Sequence, residues 1–161
     1  MFKIIDKFLS SEEHLVLKTL MEDNNFPWYY YKAKVKLKKT EKLFDYQLSH
    51  IFYNENKVNS EYFNDLNPII KKLDPLSLVR IKANLNPISN KLNVSEYHTD
   101  QNFKCKAAIY YLNENNGYTM IGDKKVESKA NRIVLFDADK KHYGTNSTNC
   151  NNRMVININY F

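Results

Sequence analysis

Residues 97–100 read Tyr-His-Thr-Asp, and the spacing of His98 and Asp100 limits what the chain can fold into more than any other feature. In a β-strand, residues i and i+2 project from the same face, so this imidazole and carboxylate converge on one point. That is two thirds of a metal site, and the third ligand has to come from elsewhere. The chain has four histidines: His14, His50, His98 and His142. His142 fits. It stands in Asp137-Ala138-Asp139-Lys140-Lys141-His142-Tyr143-Gly144, directly after the apolar run 133–136, where a strand is expected to end in a loop. His14 falls on a helix with no carboxylate partner in view, and His50, beside Phe52 and Tyr53, reads as structural. Two histidines and one carboxylate on one side of an octahedral ion leave its other positions open, which suits a non-haem Fe(II) that activates O2. Arg153 opens the last expected strand, 153–161, and offers a planar, permanently charged fork suited to a carboxylate.

A chain of 161 residues can bury one good core, and no repeat or linker divides it, so one domain is expected over 1–161. Within it, 1–77 supply helical support and outer strands, and 78–161 the core of the sheet. The net charge of +6, from 24 Lys and Arg against 18 Asp and Glu, would draw an anionic partner. The abundance of Lys, Asn and Ile with three Gly is also what AT-rich coding produces, so the charge carries little weight. Cys105 and Cys150 are too few for a disulfide framework and not spaced as a zinc motif, which fits a reducing cytoplasm. The opening Met1-Phe2-Lys3-Ile4-Ile5-Asp6-Lys7 lacks an apolar signal core, and no run approaches a membrane span. A cytoplasmic protein with no membrane partner is expected.

Along the chain, residues 2–8 read as a strand, and Ser10-Ser11-Glu12-Glu13 as the cap and acidic first turn of a helix to about residue 23, with Leu15, Leu17, Leu20 and Met21 near helical spacing. The aromatics of 27–31 favour a strand with its rings in the core. Residues 32–42 alternate Lys with apolar residues, as an edge strand with a solvated basic side would; whether 27–42 touch a substrate is left open. An extended segment over 45–53, a helix from Ser60 to Leu73 with Pro68 inside it or at a break, and a strand over 78–85 follow. After the polar loop 87–94 come the His-x-Asp strand, a long strand over 103–113, a hairpin turn at Asn115-Asn116-Gly117, another turn near Gly122 and a strand over 131–136. Short strands at regular spacing behind helices indicate an α+β, mainly β chain: a double-stranded β-helix, or jelly roll, with supporting N-terminal helices.

The ordered set of His-x-Asp, the strand Ala107-Ala108-Ile109-Tyr110-Tyr111-Leu112-Asn113, the turn near Gly117, the run 131–137, the distal His142 and Arg153 before a final strand resembles the Fe(II)- and 2-oxoglutarate-dependent oxygenases. The similarity is to their prolyl-hydroxylase-like branch. It covers the C-terminal half in detail and the helix-first layout of the N-terminal half more loosely. The resemblance implies Fe(II) held by His98, Asp100 and His142, and 2-oxoglutarate as cosubstrate with O2, its far carboxylate on Arg153. It further implies a Tyr111 hydroxyl reaching that carboxylate and a polar side chain from the strand over 78–85, with Asn84 as the candidate and Lys82 as the other. Relatives carry a hydroxyl residue two or four positions after the arginine; Val155 and Asn157 stand here, which leaves Asn157 to donate a second hydrogen bond. No catalytic residue is implied beyond the metal and cosubstrate ligands. The implied reaction hydroxylates a prolyl or other protein or peptide residue while 2-oxoglutarate becomes succinate, with ascorbate to keep the iron reduced.

Two readings of other classes compete. A cupin-like protein could hold a divalent metal without turnover, and would have no use for a buried Arg153. A nucleic-acid-binding module could use the basic segment with Trp28 and the following tyrosines to stack bases and contact phosphate, giving steep salt dependence. Within the enzyme class, nucleic acid or a free amino acid competes with protein as substrate.

Overall fold

The computed structural model describes residues 1–32 and 46–161. Strand β1 (Phe2–Ile5) leads into helix α1 (Ser11–Glu22), and β2 (Tyr29–Tyr31), β3 (Gln47–Asn54) and β4 (Lys57–Val58) follow. A 3-10 turn (Glu61–Leu66) runs into α2 (Asn67–Leu73), and then β5 (Leu78–Pro87), β6 (Lys106–Tyr111), β7 (Tyr118–Ile121), β8 (Lys124–Glu127), β9 (Arg132–Asp137), β10 (His142–Gly144) and β11 (Asn152–Tyr160) complete the order. The major sheet runs β1-β9-β6-β11-β5-β3-β2, with β4 paired to β3, and the minor sheet runs β10-β7-β8. All pairings between these strands are antiparallel.

Alternation along the central strands creates two cores. On β11, Met154, Ile156, Ile158 and Tyr160 face the helices, where they meet Leu17, Met21, Leu66 and Ile69. Tyr110 and Ala108 of β6 face the same way, while Ala107, Ile109 and Tyr111 face the minor sheet and pack with Val126, Val134 and Phe136. Strand β6 reads as unbroken apolar sequence because it is covered on both faces. Each such large side chain stabilises the fold by about 1.5–3 kcal/mol on burial.

Helix α1 starts where the sequence places it. The Ser10 hydroxyl accepts from Glu13 N at 3.1 Å and the Glu13 carboxylate accepts from Ser10 N at 3.0 Å, a complete capping box. Leu17 and Met21, four apart, carry the buried face, whereas Leu15 points to solvent. The second helical stretch is not one helix to Leu73. It begins with 3-10 geometry, and Pro68 falls in the first turn of α2, where its missing N–H has no intrahelical partner to lose.

Other expectations need correction. Tyr29, Tyr30 and Tyr31 are exposed on edge strand β2, with Trp28 alone of that run half-buried against the core, because among the described residues no core cluster includes them at the sheet's edge. The expected edge strand over 32–42 lies, beyond Lys32, outside the described residues. Residues 97–100 are not a strand: one bridge joins His98 to His142, and the long strand over 103–113 shrinks to Lys106–Tyr111. Asn115-Asn116-Gly117 is not a hairpin turn and none of the three has a positive φ; it carries the chain from the major sheet to the minor one. Tight hairpins join β3 to β4, through Glu55 and Asn56 at positive φ, and β7 to β8, where Gly122 has φ +59°.

Asn131 ties the chain's start to its end. At φ 60° it occupies the left-handed region, its Oδ1 accepts from Leu9 N at 2.8 Å and from the Tyr110 hydroxyl at 3.0 Å, and its Nδ2 donates to Leu9 O at 2.9 Å. Asn131→Ala should lower the unfolding free energy by about 3 kcal/mol, because buried groups lose their partners and alanine is strained at that φ. Urea titration followed by circular dichroism checks this; a loss under about 0.5 kcal/mol, the range of a neutral surface change, contradicts it.

Candidate active site

His98 and His142 face each other as a backbone-bonded antiparallel pair: His98 N donates to His142 O at 3.0 Å, and His142 N donates to His98 O at 2.9 Å. Direct opposition sets the ring centroids 4.6 Å apart. Each imidazole is oriented by the chain two residues back, His98 Nδ1 to Glu96 O and His142 Nδ1 to Lys140 O, both at 3.0 Å. A carbonyl can only accept, so each Nδ1 donates, which leaves Nε2 as the ring atom available to a metal. His142 stands at the start of β10 instead of in a loop, and is buried.

Asp100 completes the group. Its Oδ2 lies 3.9 Å from His142 Nε2, and one ligand atom from each of His98, Asp100 and His142 falls within 4.8 Å of the others. Ion-ligand bonds of about 2.1 Å set neighbouring ligand atoms about 3 Å apart in an octahedral shell, so the three side chains draw together by at most about 2 Å. Burial alone would raise the Asp100 carboxyl, but His142, Arg80, Asn159 and His98 together hold it below the usual carboxylate range. Burial lowers the His142 imidazolium, which Asp100 partly opposes, so the ring stays neutral and ready to ligate. Arg80 donates to Asp100 Oδ1 at 2.8 Å and Asn159 to Oδ2 at 3.1 Å, which fixes the carboxylate's orientation. The donor set, two imidazoles oriented through Nδ1 and an ionised carboxylate held by Arg80 and Asn159, fits a divalent ion such as Fe(II).

The three ligands line one wall of a cavity of about 430 Å³, within the size range of small-molecule sites. Its floor is set by the β5–β11 register, which pairs Arg80 with Asn159, Lys82 with Asn157, Asn84 with Val155 and Asn86 with Arg153. Every second residue of both strands therefore faces the cavity.

Arg153 lies in this wall, 2% exposed. Its Nε donates to Ser128 Oγ at 2.7 Å, one terminal nitrogen to Thr119 Oγ1 at 2.8 Å and the other to Thr145 O at 3.3 Å, with the guanidinium 5.5 Å over the Tyr111 ring. All four partners are neutral, and among the described residues no carboxylate pairs with it. Burial pulls its pKa below the usual value, with Tyr111 opposing, yet a guanidinium stays charged. Gly117 makes room for it: a Cβ there would stand 2.6 Å from Arg153 Cδ and 2.5 Å from Asn146 O.

The cosubstrate residues named from the resemblance divide. Arg153, Asn84, Asn157 and the alternative Lys82 all line the cavity. Asn84 Oδ1 accepts from Ser49 at 2.9 Å, and Asn157 Oδ1 is buried with no partner among the described residues. Tyr111 lies a layer behind: it is fully buried, and its hydroxyl donates to Thr119 Oγ1 at 2.9 Å. Thr119 opens on the cavity in its place. Thr119, Ser128 and Arg80 went unnoticed in the sequence, although alternation from Asn84 back along β5 would have put Arg80 on the cavity face. His14 and His50 are structural: His14 Nδ1 meets the Tyr110 hydroxyl at 2.7 Å, and His50 sits between Pro27 O and Ser60 Oγ.

No protein-family model matches this sequence, and no curated protein matches it either. Solved structures do match in fold. A prolyl hydroxylase from Trichoplax adhaerens, in complex with a hypoxia inducible factor oxygen degradation domain peptide fragment, is 14% identical with a TM-score of 0.67, over 99% of this chain and 83% of that one. An oxidoreductase of the 2OG-Fe(II) oxygenase family from Burkholderia pseudomallei is 8% identical, TM-score 0.67, over 99% and 84%. A prolyl-4-hydroxylase from Pseudomonas putida is 13% identical, TM-score 0.58, over 99% and 91%. The chain thus has the mainly β, double-stranded β-helix fold of the 2OG-Fe(II) oxygenases, and within it a His-x-Asp and distal His group.

Removing a ligand should strip metal affinity. His142→Ala and Asp100→Ala are each expected to weaken Mn(II) binding, read by electron paramagnetic resonance, by more than the roughly 10–100-fold that loss of an outer-shell partner costs. His14→Ala and His50→Ala should bind Mn(II) as the parent does; wild-type affinity in His142→Ala sinks the assignment.

Proposed function

We propose that the chain is an Fe(II)- and 2-oxoglutarate-dependent dioxygenase that hydroxylates a prolyl or other residue of a protein or peptide and releases succinate. The observation that carries this reading is the pairing, in one cavity, of the His98, Asp100 and His142 group with a buried, uncompensated Arg153. A metal-binding jelly roll without turnover has no need of such a cation. A diacid that reaches the ion with one end and Arg153 with the other does.

When bound, Fe(II) supplies the activation of O2 that is coupled to decarboxylation of 2-oxoglutarate. The chain's own residues do the rest. His98 and His142, locked through Nδ1, and Asp100, locked by Arg80 and Asn159, hold the ion from one side. Arg153 gives the far carboxylate a bidentate partner, and Thr119 and Ser128 hold the guanidinium in place without neutralising it. Ile109 and Val155 line the cavity between as apolar wall, which keeps water from the reacting region. Asn84 and Asn157 have amide atoms free to orient the diacid. Ascorbate serves to keep the iron reduced. The protein or peptide substrate is proposed from the prolyl hydroxylases among the fold's neighbours.

Under argon with Fe(II), titration of 2-oxoglutarate should produce a charge-transfer absorption. Arg153→Ala should raise the midpoint by about two to four orders of magnitude, the equivalent of about 3–5 kcal/mol for an unpaired buried charge. Arg153→Lys should fall between, since it keeps the charge and loses the fork. Equal midpoints in parent and Arg153→Ala, or no succinate from 2-oxoglutarate in air with Fe(II) and ascorbate, would refute the reading.

A further inference from the structure

The cavity is more positive than an iron ion and a diacid require. Among the described residues three cations line it, Arg80, Lys82 and Arg153, against one carboxylate, Asp100. Loading it with a divalent ion and a dianion adds no net charge, so the surplus persists in the loaded site. Arg80 and Lys82 are two apart on β5 and project from the same face, so they stand side by side. Arg153 lies on β11, and Lys82 lies one strand nearer the edge formed by β3 and β2. The two cations thus occupy a different part of the floor from Arg153.

Neither has its charge or its donors fully used. Arg80 gives one terminal nitrogen to Asp100, but its Nε is buried with no partner among the described residues. The Lys82 ammonium pairs with no carboxylate among the described residues; it sits 4.8 Å over the Tyr31 ring, which attracts a cation without neutralising it. Across the ladder, Asn157 keeps an unpaired buried Oδ1 beside them. Burial and the charge of Arg80 push Lys82 down to about 8, and the Asp100 carboxylate only partly opposes them.

We infer that Arg80 and Lys82 form a second anion subsite, which seats a carboxylate of the primary substrate while Arg153 holds that of the cosubstrate. This rests on the oxygenase reading above and narrows it: the protein or peptide substrate carries its own acidic group near the residue that is hydroxylated, and is not a neutral prolyl segment. A phosphate would be recognised by the same chemistry, so the test has an arm for each.

The test uses the wild-type chain with Fe(II) and saturating 2-oxoglutarate under argon, where no turnover occurs. Acetylation of lysines by N-hydroxysuccinimidyl acetate is followed peptide by peptide by mass spectrometry while acetate, inorganic phosphate or chloride is titrated at equal ionic strength. Lys124 and Lys125 are controls, since each also lies over an aromatic ring, Phe2 and Tyr118, but outside the cavity. Acetate at about ten times its dissociation constant should slow Lys82 acetylation about tenfold relative to chloride, and leave Lys124 and Lys125 unchanged. Protection by phosphate in preference to acetate keeps the subsite and assigns it a phosphorylated substrate. If neither anion slows Lys82 more than the two controls, the subsite is wrong. The charge-transfer absorption of the same sample separates the two readings: a band without protection overturns the subsite alone, and protection without a band overturns the oxygenase reading while the subsite stands.

Discussion

The buried guanidinium of Arg153 is the constraint on which the rest of this structure depends. A cation removed from water costs several kcal/mol unless its donors are met. Here they are met by groups from three places: Thr119 on β7, Ser128 just after β8, and Thr145 just after β10. The minor sheet therefore cannot be apolar where it faces Arg153. It supplies Ile121 and Val126 to the intersheet core and hydroxyls beside the guanidinium, so the space between the sheets is oily on one side and polar on the other. Gly117 follows from the same demand, because a side chain there would occupy the space of the Arg153 stem. Its role is close approach and not a positive φ.

Much of this was legible in the sequence, because the period of a strand is short and local. The strand at the chain's end, with Arg153, Val155, Asn157 and Asn159 facing one way, follows from alternation alone, and the structure pairs all four with alternate residues of β5. His98 and Asp100 were rightly expected to converge, yet for a reason that does not hold. They are not on a strand; one bridge to His142 and the bonds from Arg80 and Asn159 bring the carboxylate round to the imidazoles. Long-range hydrogen bonds replace local geometry there, and a two-residue spacing cannot show them.

The remaining misses have the same origin. Tyr111 has the right face but not the right depth: it stands behind Thr119, and which of two inward side chains reaches the cavity depends on how far apart the sheets lie. The tyrosines of β2 read as core because aromatic runs favour strands, but their place at the edge of the sheet leaves them exposed. Arg80 shares the cavity face with Asn84 by alternation, but an arginine in a strand is ordinary, and its 2.8 Å bond to Asp100 spans twenty residues that no local spacing reveals.

A fold shared at 8–14% identity defines where chemistry can happen and leaves open what it happens to. The electrostatics of the cavity floor narrow that question. A site for a neutral prolyl segment gains nothing from Lys82, since an ammonium half removed from water and facing Arg80 destabilises the empty cavity. Such a charge persists in a folded chain when something bound to it offsets the repulsion. On the oxygenase reading proposed above, the diacid's far carboxylate lies with Arg153, which pairs across the ladder with Asn86 and not with Lys82, so that end does not offset the Lys82 charge. A second anion can, and it would have to arrive with the substrate.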